Sequence, residues 1–314
     1  MTRFGLQIPN VASFGDTGGD PFTYVADRAV AADRSGFSSL WVMDHLWQLP
    51  DLGGPPAPIL EGYTLLGALA ARTERVELGT LVTGVTYRNP ALLARMVTTL
   101  DVVSHGRAVL GIGAAWYEEE HRGLGFDFPA VSERFDRLDE AVQICRAMFT
   151  EHRPTFNGRY YRIEEAWNVP PPVRTGGPPI LIGGSGERRT LRLVARYADR
   201  CNLFGGPDHI RHLLDVLGRH CESEGRDPAT ISTTRLGTLV PTATEDEADT
   251  VREFITAQAS PDIAATAVIG TDEQILDQVG QLVDAGLDEL IFNMVTAPPD
   301  EIERVGQLLS SKLG

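Results

Sequence analysis

The sequence has 314 residues and a formal net charge of −15, with 43 acidic side chains against 28 basic ones. This excess of negative charge disfavours binding to nucleic acid or to an anionic membrane, and the length suits one α/β barrel as well as two domains. The three cysteines, Cys145, Cys201 and Cys221, are widely spaced, which predicts buried thiols in a reducing compartment. Without a signal-peptide core or an apolar stretch of membrane-spanning length, the chain is expected to be cytoplasmic.

Short apolar runs alternate along the chain with longer amphipathic segments, a pattern typical of repeated strand–helix units. The predicted strands cover residues 4–9, 39–43, 76–82, 107–113, 179–183, 200–204, 231–240 and 289–295. The predicted helices cover residues 21–35, 63–72, 90–104, 132–149, 187–197, 208–223, 245–257, 272–285 and 300–313. Eight such units favour a (β/α)8 TIM barrel that spans residues 1–314 as one domain. A doubly wound sheet is the weaker alternative, because no GxGxxG motif follows the first strand.

Three insertions lengthen the predicted units, after strands two, four and seven. Residues 48–60 follow strand two and contain four prolines and two glycines, which predicts an irregular loop over the mouth of the barrel. Residues 155–172 precede strand five and contain Asn157-Gly158, a sequence typical of a hairpin turn. Strand seven is followed by two helical segments instead of one.

The second predicted strand ends abruptly, with the apolar residues 40–43 followed by Asp44 and His45. At the carboxyl end of a buried parallel strand, side chains leave the core and face the mouth of the sheet, where α/β enzymes place their chemistry. A carboxylate beside an imidazole suits proton transfer or the binding of a polar ring. The alternative is structural, with an aspartate that caps the next loop and a histidine that bonds a backbone carbonyl.

The ends of strands three and four are rich in small residues. Gly79 and Gly84 mark strand three, and glycine in a strand commonly indicates a bulge or the close approach of a flat ligand. Strand four ends in Gly-Ile-Gly-Ala-Ala at residues 111–115, and Trp116 adds a flanking aromatic ring. The sequence therefore predicts a site for a planar ring system. The acidic run at residues 118–120 is ordinarily the solvated first turn of a helix.

The end of strand five predicts a phosphate site. The glycine-rich residues 183–186 open a predicted helix, and such a turn presents free backbone N–H groups to an anion. Arg188 and Arg189 follow and could add charge-assisted hydrogen bonds. The alternative is a tight turn without a ligand.

A metal-dependent hydrolase fits the pattern poorly, and no metal site is expected. Such an enzyme needs a His-x-His at the end of the first strand and further histidines or carboxylates on strands. The first strand instead ends in Gln7-Ile8-Pro9. The other histidines fall in predicted helices or loops: His105, His121, His152, His209, His212 and His220.

Taken together, these segments resemble the bacterial luciferase-like family, and within it the oxidoreductases that depend on coenzyme F420, an 8-hydroxy-5-deazaflavin. The resemblance spans nearly the whole chain, and its combination of motifs is specific. The segments that carry it are residues 4–9, 41–45, 71–80, 87–90, 111–121, 183–186 and 284–290.

The resemblance implies a role for individual residues. Asp44 matches an acid that hydrogen-bonds the deazaflavin, and His45 matches a proposed proton donor. A bulge with a non-proline cis peptide at Leu81–Val82 is implied behind the central ring. The other positions implied to bind the ring, its side chain or the phosphate are Thr83, Gly84, Ala114, Ala115, Glu119, Gly184, Ser185, Gly186, Arg188 and Arg189.

The sequence also departs from the sugar-phosphate dehydrogenases of that family. Trp116 stands where they place a glutamate base, and Lys312 is the sole lysine, so none is available for a substrate phosphate. The substrate pocket is instead expected to be aromatic and apolar, with Trp47, Trp116 and Phe204 in its wall.

The sequence thus favours an oxidoreductase that transfers hydride between coenzyme F420 and a small, apolar organic substrate, and it allows a homodimer. Deazaflavin suits such two-electron chemistry, to which the barrel contributes orientation and electrostatics. An FMN-dependent two-component monooxygenase is the first alternative, because the phosphate turn suits either cofactor. A cofactor-binding barrel without catalysis is the second.

Overall fold

A computed structural model describes residues 2–9, 20–258, 264 and 266–314. Within these residues the strands are β1 (Arg3–Ile8), β2 (Ser39–Val42), β3 (Glu77–Thr80), β4 (Thr83–Gly84), β5 (Ala108–Gly113), β6 (Phe156–Asn157), β7 (Arg162–Ile163), β8 (Ile180–Gly183), β9 (Arg200–Leu203), β10 (Ser232–Pro241), β11 (Val268–Gly270) and β12 (Glu289–Asn293). The helices are α1 (Pro21–Arg34), α2 (Gly62–Ala70), α3 (Pro90–Val103), α4 (Glu118–Leu124), α5 (Val131–Thr150), α6 (Thr190–Tyr197), α7 (Pro207–Glu224), α8 (Glu245–Gln258), α9 (Asp272–Val283) and α10 (Pro299–Leu313).

Local sequence explains where several helices begin. Asp20 precedes α1, and its side chain accepts hydrogen bonds from the backbone N–H groups of Phe22 and Thr23. Asn89 caps α3 in the same manner. In both helices the next residue is proline, which has no N–H to leave unpaired and already has a helical φ.

The barrel is closed and parallel. Around it the strands follow the order β1, β2, β3, β5, β8, β9, β10 and β12, and β12 pairs with β1 to complete the circle. The short β4 pairs with β5 beyond the end of β3, and β11 extends the edge of β10. The hairpin β6–β7 lies outside the barrel sheet. The carboxyl ends of all eight barrel strands therefore meet at one face.

Successive side chains of a strand point to opposite faces, so the barrel strands contribute to two separate parts of the core. One small buried cluster is formed by Trp41, Leu81, Val109, Leu181 and Ile291. The larger cluster contains the intervening strand residues and the inner faces of the helices. The helices and the sheet are thus held together mainly by burial of apolar surface.

A cluster of opposite charges joins the amino-terminal ends of the strands. Glu77 at the start of β3 accepts hydrogen bonds from Arg200 at 2.8 and 2.9 Å and from Arg174 at 3.0 Å, and it also bonds Arg3. Burial acts to raise the pKa of Glu77, but these arginines outweigh it and lower the pKa to about 2. This carboxylate therefore ties β1, β3 and β9 together at the face opposite the predicted site.

The predicted barrel is confirmed, together with its eight strands. The predicted third strand, residues 76–82, is interrupted, because the chain bulges after Thr80 and pairs again as β4. The predicted helix at 187–197 begins three residues later, after a turn at 187–189. The acidic run forms its own short helix, α4. The three cysteines are buried free thiols, as predicted.

In the described part of the chain, no helix combines the length and the apolar character that crossing a membrane would require.

Replacing Glu77 with glutamine tests the charge cluster, because it leaves three arginines close together without their carboxylate. We expect the free energy of unfolding at pH 7 to fall by about 3 kcal/mol. The pKa of Glu77 is lowered in the folded protein, so its contribution is complete above the ordinary value of 4.5 and is lost as the pH falls towards 2. The free energies of unfolding of the two proteins, measured with urea, should therefore converge as the pH falls from 4.5 to about 2.

The control is Glu253→Gln, at an exposed position of α8. This substitution should leave the free energy of unfolding at neutral pH nearly unchanged. A Glu77→Gln deficit that stays constant down to the acid range would contradict the assignment of this stability to the ionised carboxylate.

Candidate active site

A cavity of about 290 Å³ lies at the carboxyl ends of the strands, the edge that the sequence predicted for the site. Its walls are the segments that follow β2, β3, β5, β8 and β9. We call it the central cavity; it is lined by Asp44, His45, Leu81, Val82, Thr83, Gly84, Tyr87, Gly113, Ala114, Ala115, Trp116, Phe135, Gly183, Gly184, Thr190, Asn202 and Phe204.

The bulge after β3 is accommodated by glycines on the neighbouring strands. A Cβ atom at Gly113 or Gly183 would lie 2.9 Å from a methyl carbon of Val82. A Cβ atom at Gly111 would lie 1.9 Å from the carbonyl oxygen of Thr80. A side chain at Gly111 would therefore collide with the backbone of Thr80, and one at Gly113 or Gly183 would force Val82 to shift. Val82 consequently forms part of the wall of the central cavity.

Buried hydroxyl groups fix the backbone of this bulge. The peptide bond between Leu81 and Val82 is cis, as the resemblance implied. The hydroxyls of Tyr63 and Thr83 lie 2.8 Å apart, and those of Thr80 and Thr83 are also 2.8 Å apart. Thr80 further donates to a backbone carbonyl of β5 at 3.1 Å. Each hydroxyl is satisfied by a neighbour, so the polar groups are buried without an unpaired donor.

Asp44 is buried and anchored by Arg88. The guanidinium donates to both carboxylate oxygens, at 2.6 and 3.0 Å, and reaches Glu61 at 2.6 Å. Burial raises the pKa of Asp44, and the Arg88 pair and a hydrogen bond from Thr83 offset part of that rise. Asp44 therefore lines the central cavity and also fixes the loop that carries Arg88.

His45 is oriented by a carboxylate that the sequence analysis did not identify. Its Nδ1 lies 3.1 Å from Oε2 of Glu120, which also accepts a hydrogen bond from the Tyr87 hydroxyl. The other oxygen of Glu120 accepts from the backbone N–H groups of Leu46 and Trp47. With Nδ1 on Glu120, the atom of the ring left for a ligand is Nε2, which bonds nothing in the described part of the chain.

Glu120 remains ionised at neutral pH. Burial acts to raise its pKa, but hydrogen bonds from His45 and Tyr87 outweigh burial and hold the pKa below its usual range. Glu119, the acidic residue implied by the resemblance, is exposed and lines neither cavity. The helical period provides the missing signal, since Glu120 and His121 form the buried face of α4 while Glu118 and Glu119 are exposed.

A second cavity, of about 640 Å³, adjoins the first. We call it the outer cavity; its lining is Leu49, Trp116, Ser185, Phe204, Gly205, His209, Leu236, Gly237, Thr238, Thr266 and Asn293. Trp116 and Phe204, two of the three aromatic residues predicted for a substrate pocket, line both cavities. Trp47, the third predicted aromatic, packs against Gly123 of α4 and lines neither cavity.

The predicted phosphate turn borders both cavities. Gly184 and Thr190 line the central cavity, and Ser185 lines the outer one. Gly184 has a φ of +122°, which favours glycine. Within the described residues, the backbone N–H groups of residues 185–188, including Gly186, donate no hydrogen bond. Their position before α6 leaves them able to bind an anion.

The arginines implied to bind the phosphate lie in this turn, but their side chains do not line the cavities. Arg188 and Arg189 line neither cavity. The guanidinium of Arg189 instead donates to the carbonyl oxygen of Ser132 at 3.0 Å and bonds Asp136 of α5. Because α6 begins only at residue 190, both arginines belong to a turn that faces α5. They cannot be assigned to the wall of the central cavity.

Several residues of the central cavity were missed by the sequence analysis. Asn202 occupies a strand end, so the barrel prediction itself provides a signal for it. Gly113 and Gly183 fall within the two glycine-rich segments that the sequence analysis identified. Tyr87, Phe135 and Thr190 come from loops and helices, where no period identifies a cavity-facing position. Phe135 in particular reaches the cavity from α5 through the tertiary fold alone.

Comparison with known proteins identifies the family. The family model of the luciferase-like monooxygenases matches residues 2–262. An F420-dependent glucose-6-phosphate dehydrogenase of Nocardia farcinica is 31% identical over 305 residues, which cover 86% of this chain and 87% of that enzyme. The enzyme of the same name from Kineococcus radiotolerans is 36% identical over 220 residues, covering 67% of this chain and 61% of its own length.

The fold has close relatives among solved structures. An F420-dependent secondary alcohol dehydrogenase, in complex with an F420–acetone adduct, superposes with a TM-score of 0.82 at 19% sequence identity, over 99% of this chain and 97% of that one. At this identity the likeness concerns the fold. The match of the family model over most of the sequence goes further: the chain belongs to the luciferase-like monooxygenase family.

Proposed function

We propose that this protein is an oxidoreductase that transfers hydride between coenzyme F420 and a small, uncharged organic substrate. The names of the curated relatives support the cofactor. The observation that carries the proposal is the placement of a flat, small-residue wall at Val82 and an oriented imidazole at His45 in one cavity.

The residues of the central cavity fit a deazaflavin. Ala114, Ala115 and the bulge at Val82 offer backbone and methyl groups against which a planar ring can lie. The N–H groups of residues 185–188 suit the phosphate. When bound, coenzyme F420 supplies a carbon that donates or accepts hydride. The resemblance implies a hydrogen bond between Asp44 and the ring; in this cavity both carboxylate oxygens of Asp44 already accept from Arg88, so Asp44 also holds Arg88 beside the ring.

His45 handles the proton of the reaction. Glu120 holds Nδ1, so the ring is fixed in one orientation and Nε2 is free to exchange a proton with the substrate. The ionised Glu120 also stabilises the imidazolium that exists while the proton resides on the ring. Glu120 itself touches neither cavity, so it acts as a positioning residue.

The outer cavity holds the substrate and favours an uncharged one. Among the described residues that line it, none is acidic and none is lysine or arginine, and its walls include Trp116, Phe204 and Leu236. Among the buried side-chain atoms of its described lining, Oδ1 of Asn293 has no hydrogen-bond partner. That oxygen suits the hydroxyl or amine of an otherwise apolar molecule. A sugar phosphate would lack a cation for its charge.

Cofactor titration tests the central claim. We expect coenzyme F420 to bind with a dissociation constant of about 1–10 μM, near −7 to −8 kcal/mol, and FMN to bind at least about tenfold more weakly. Fluorescence quenching of each cofactor on addition of protein measures both constants. Equal or tighter binding of FMN would replace this proposal with an FMN-dependent monooxygenase.

Replacing His45 with alanine tests the proton-transfer role. We expect turnover to fall by about 10²–10⁴-fold, because a general acid–base group is lost, while the dissociation constant of F420 stays within a few-fold of wild type. Single-turnover change in deazaflavin absorbance is the measurement, with any substrate that the wild type accepts from a panel of small ketones, imines and activated alkenes.

Two further variants show whether the loss in His45→Ala comes from proton transfer or from a change in structure. His152→Ala, at an exposed position outside both cavities, should react like wild type. Glu120→Gln keeps an acceptor for Nδ1 but removes its charge, so its turnover should fall between those of wild type and His45→Ala. If His45→Ala transfers hydride at nearly the wild-type rate, solvent supplies the proton and His45 only contacts the ring.

A further inference from the structure

A buried arginine lies directly behind the wall of the outer cavity. Arg235, on β10, is 2% exposed. Its Nε donates to the carbonyl oxygen of Gly205 at 3.0 Å, and its Nη2 donates to the carbonyl oxygen of Thr266. Both acceptors belong to residues that line the outer cavity. The guanidinium therefore joins two parts of this wall from behind.

Gly237 brings the same guanidinium against a third part of the wall. Arg235 and Gly237 are two residues apart on one strand, so their side-chain positions lie on the same face. A Cβ atom at Gly237 would lie 2.3 Å from Nη1 of Arg235. The guanidinium thus occupies the space that a side chain at this position would need. Since Gly237 lines the outer cavity, the charge lies against the backbone of a residue that a ligand there would touch.

The charge of Arg235 is not neutralised locally. Its Nη1 is buried and has no hydrogen-bond partner among the described residues, and the acceptors of its other two nitrogens are neutral carbonyl groups. Two other largely buried arginines differ, because Arg88 pairs with Asp44 and Arg200 pairs with Glu77. Burial lowers the pKa of Arg235 to about 10, so the side chain still carries its charge at neutral pH.

An unpaired charge in this position acts on any molecule that occupies the outer cavity. Its interaction with a ligand is stronger than in water, because the effective dielectric constant near such a site is about 20 instead of about 80. The positive charge attracts the negative end of a dipole and repels a cation. The described lining contains no acidic residue that would offset this effect.

We propose that Arg235 determines the electrical polarity of the substrate that the outer cavity accepts. The cavity favours an uncharged molecule that presents an electron-rich atom, such as the oxygen of a carbonyl or nitro group, towards β10. It rejects ammonium and iminium ions. A hydroxyl that donates to Oδ1 of Asn293 remains compatible with this polarity.

The inference rests on the proposed function and narrows its substrate class, since it excludes imines that react in their protonated form. Arg235 acts through the wall and does not line the cavity, so it is a specificity-determining residue and not a catalytic one. A full negative charge still loses its hydration on entry, and the cavity therefore favours a dipole over an anion.

The experiment uses three probes of similar shape and different charge, which are benzoate, benzamide and benzamidinium. Calorimetric titration of the full chain gives a dissociation constant for each, at low salt and about pH 8, where histidine side chains add little charge. In Arg235→Gln we expect benzoate to bind about tenfold more weakly than in wild type, benzamidinium about tenfold more tightly, and benzamide within about twofold. Opposite shifts for the two ions indicate a removed charge, because a damaged cavity would weaken all three.

Three further variants complete the test. Arg235→Lys keeps the charge and should keep both ions within about threefold of wild type. Gly237→Ala places a methyl group where Nη1 lies and should shift both ions in the same directions as Arg235→Gln, by about threefold. It carries the test if Arg235→Gln does not fold. Arg72→Gln removes an exposed charge outside the outer cavity and should change none of the three constants by more than about twofold.

Two results would overturn the inference and leave the hydride-transfer proposal standing. One is unchanged affinity for both ions in Arg235→Gln, and the other is equal weakening of all three probes. If the wild type binds none of the probes at millimolar concentration, the outer cavity is not the substrate site, and the inference fails together with that part of the proposed function. The cofactor titration described above does not depend on this outcome.

Discussion

The candidate site depends on one close contact, between the bulge after β3 and the glycines of the strands beside it. Any side chain at Gly111 would collide with the carbonyl oxygen of Thr80, and any at Gly113 or Gly183 would collide with Val82. With glycine there, the bulge fits across β5 and β8 and its backbone faces the mouth of the barrel. A flat surface without long side chains results, and such a surface suits a planar cofactor.

Two buried carboxylates then place the neighbouring groups. Asp44 holds Arg88 and so fixes the loop that follows the bulge, whereas Glu120 holds His45 and Tyr87 together. Asp44 and His45 are adjacent in sequence but bond to separate partners from different loops. In the proposed function, binding of the ring and transfer of the proton would therefore depend on different residues, so that each could be disturbed while the other remains intact.

The barrel could be predicted from sequence because each strand and helix leaves a periodic signal that local physics produces. The site was predictable where it consists of strand ends, as at Asp44 and His45. Prediction failed where the answer depends on the phase of a helix or on tertiary packing. Glu120 rather than Glu119 faces inward because α4 begins at residue 118. Trp47 packs against Gly123 of α4 and lines neither cavity. The turn before α6 likewise directs Arg189 to α5, which the glycine-rich motif does not reveal.

The charge around the outer cavity bears on the substrate proposed above. The described lining of the outer cavity contains no acidic residue, lysine or arginine. Arg88 is held by Asp44, and Arg188, Arg189, Arg192 and Arg196 lie around the space between α5 and α6. Arg235 lies behind the lining, where its guanidinium donates to the carbonyl oxygens of Gly205 and Thr266. A dianionic substrate would lose its hydration on entering and would meet no cation on the described lining, which disfavours its binding. An uncharged substrate of the same size loses little and gains contact with Trp116 and Phe204. Selectivity would then arise as much from excluding charge as from recognising shape.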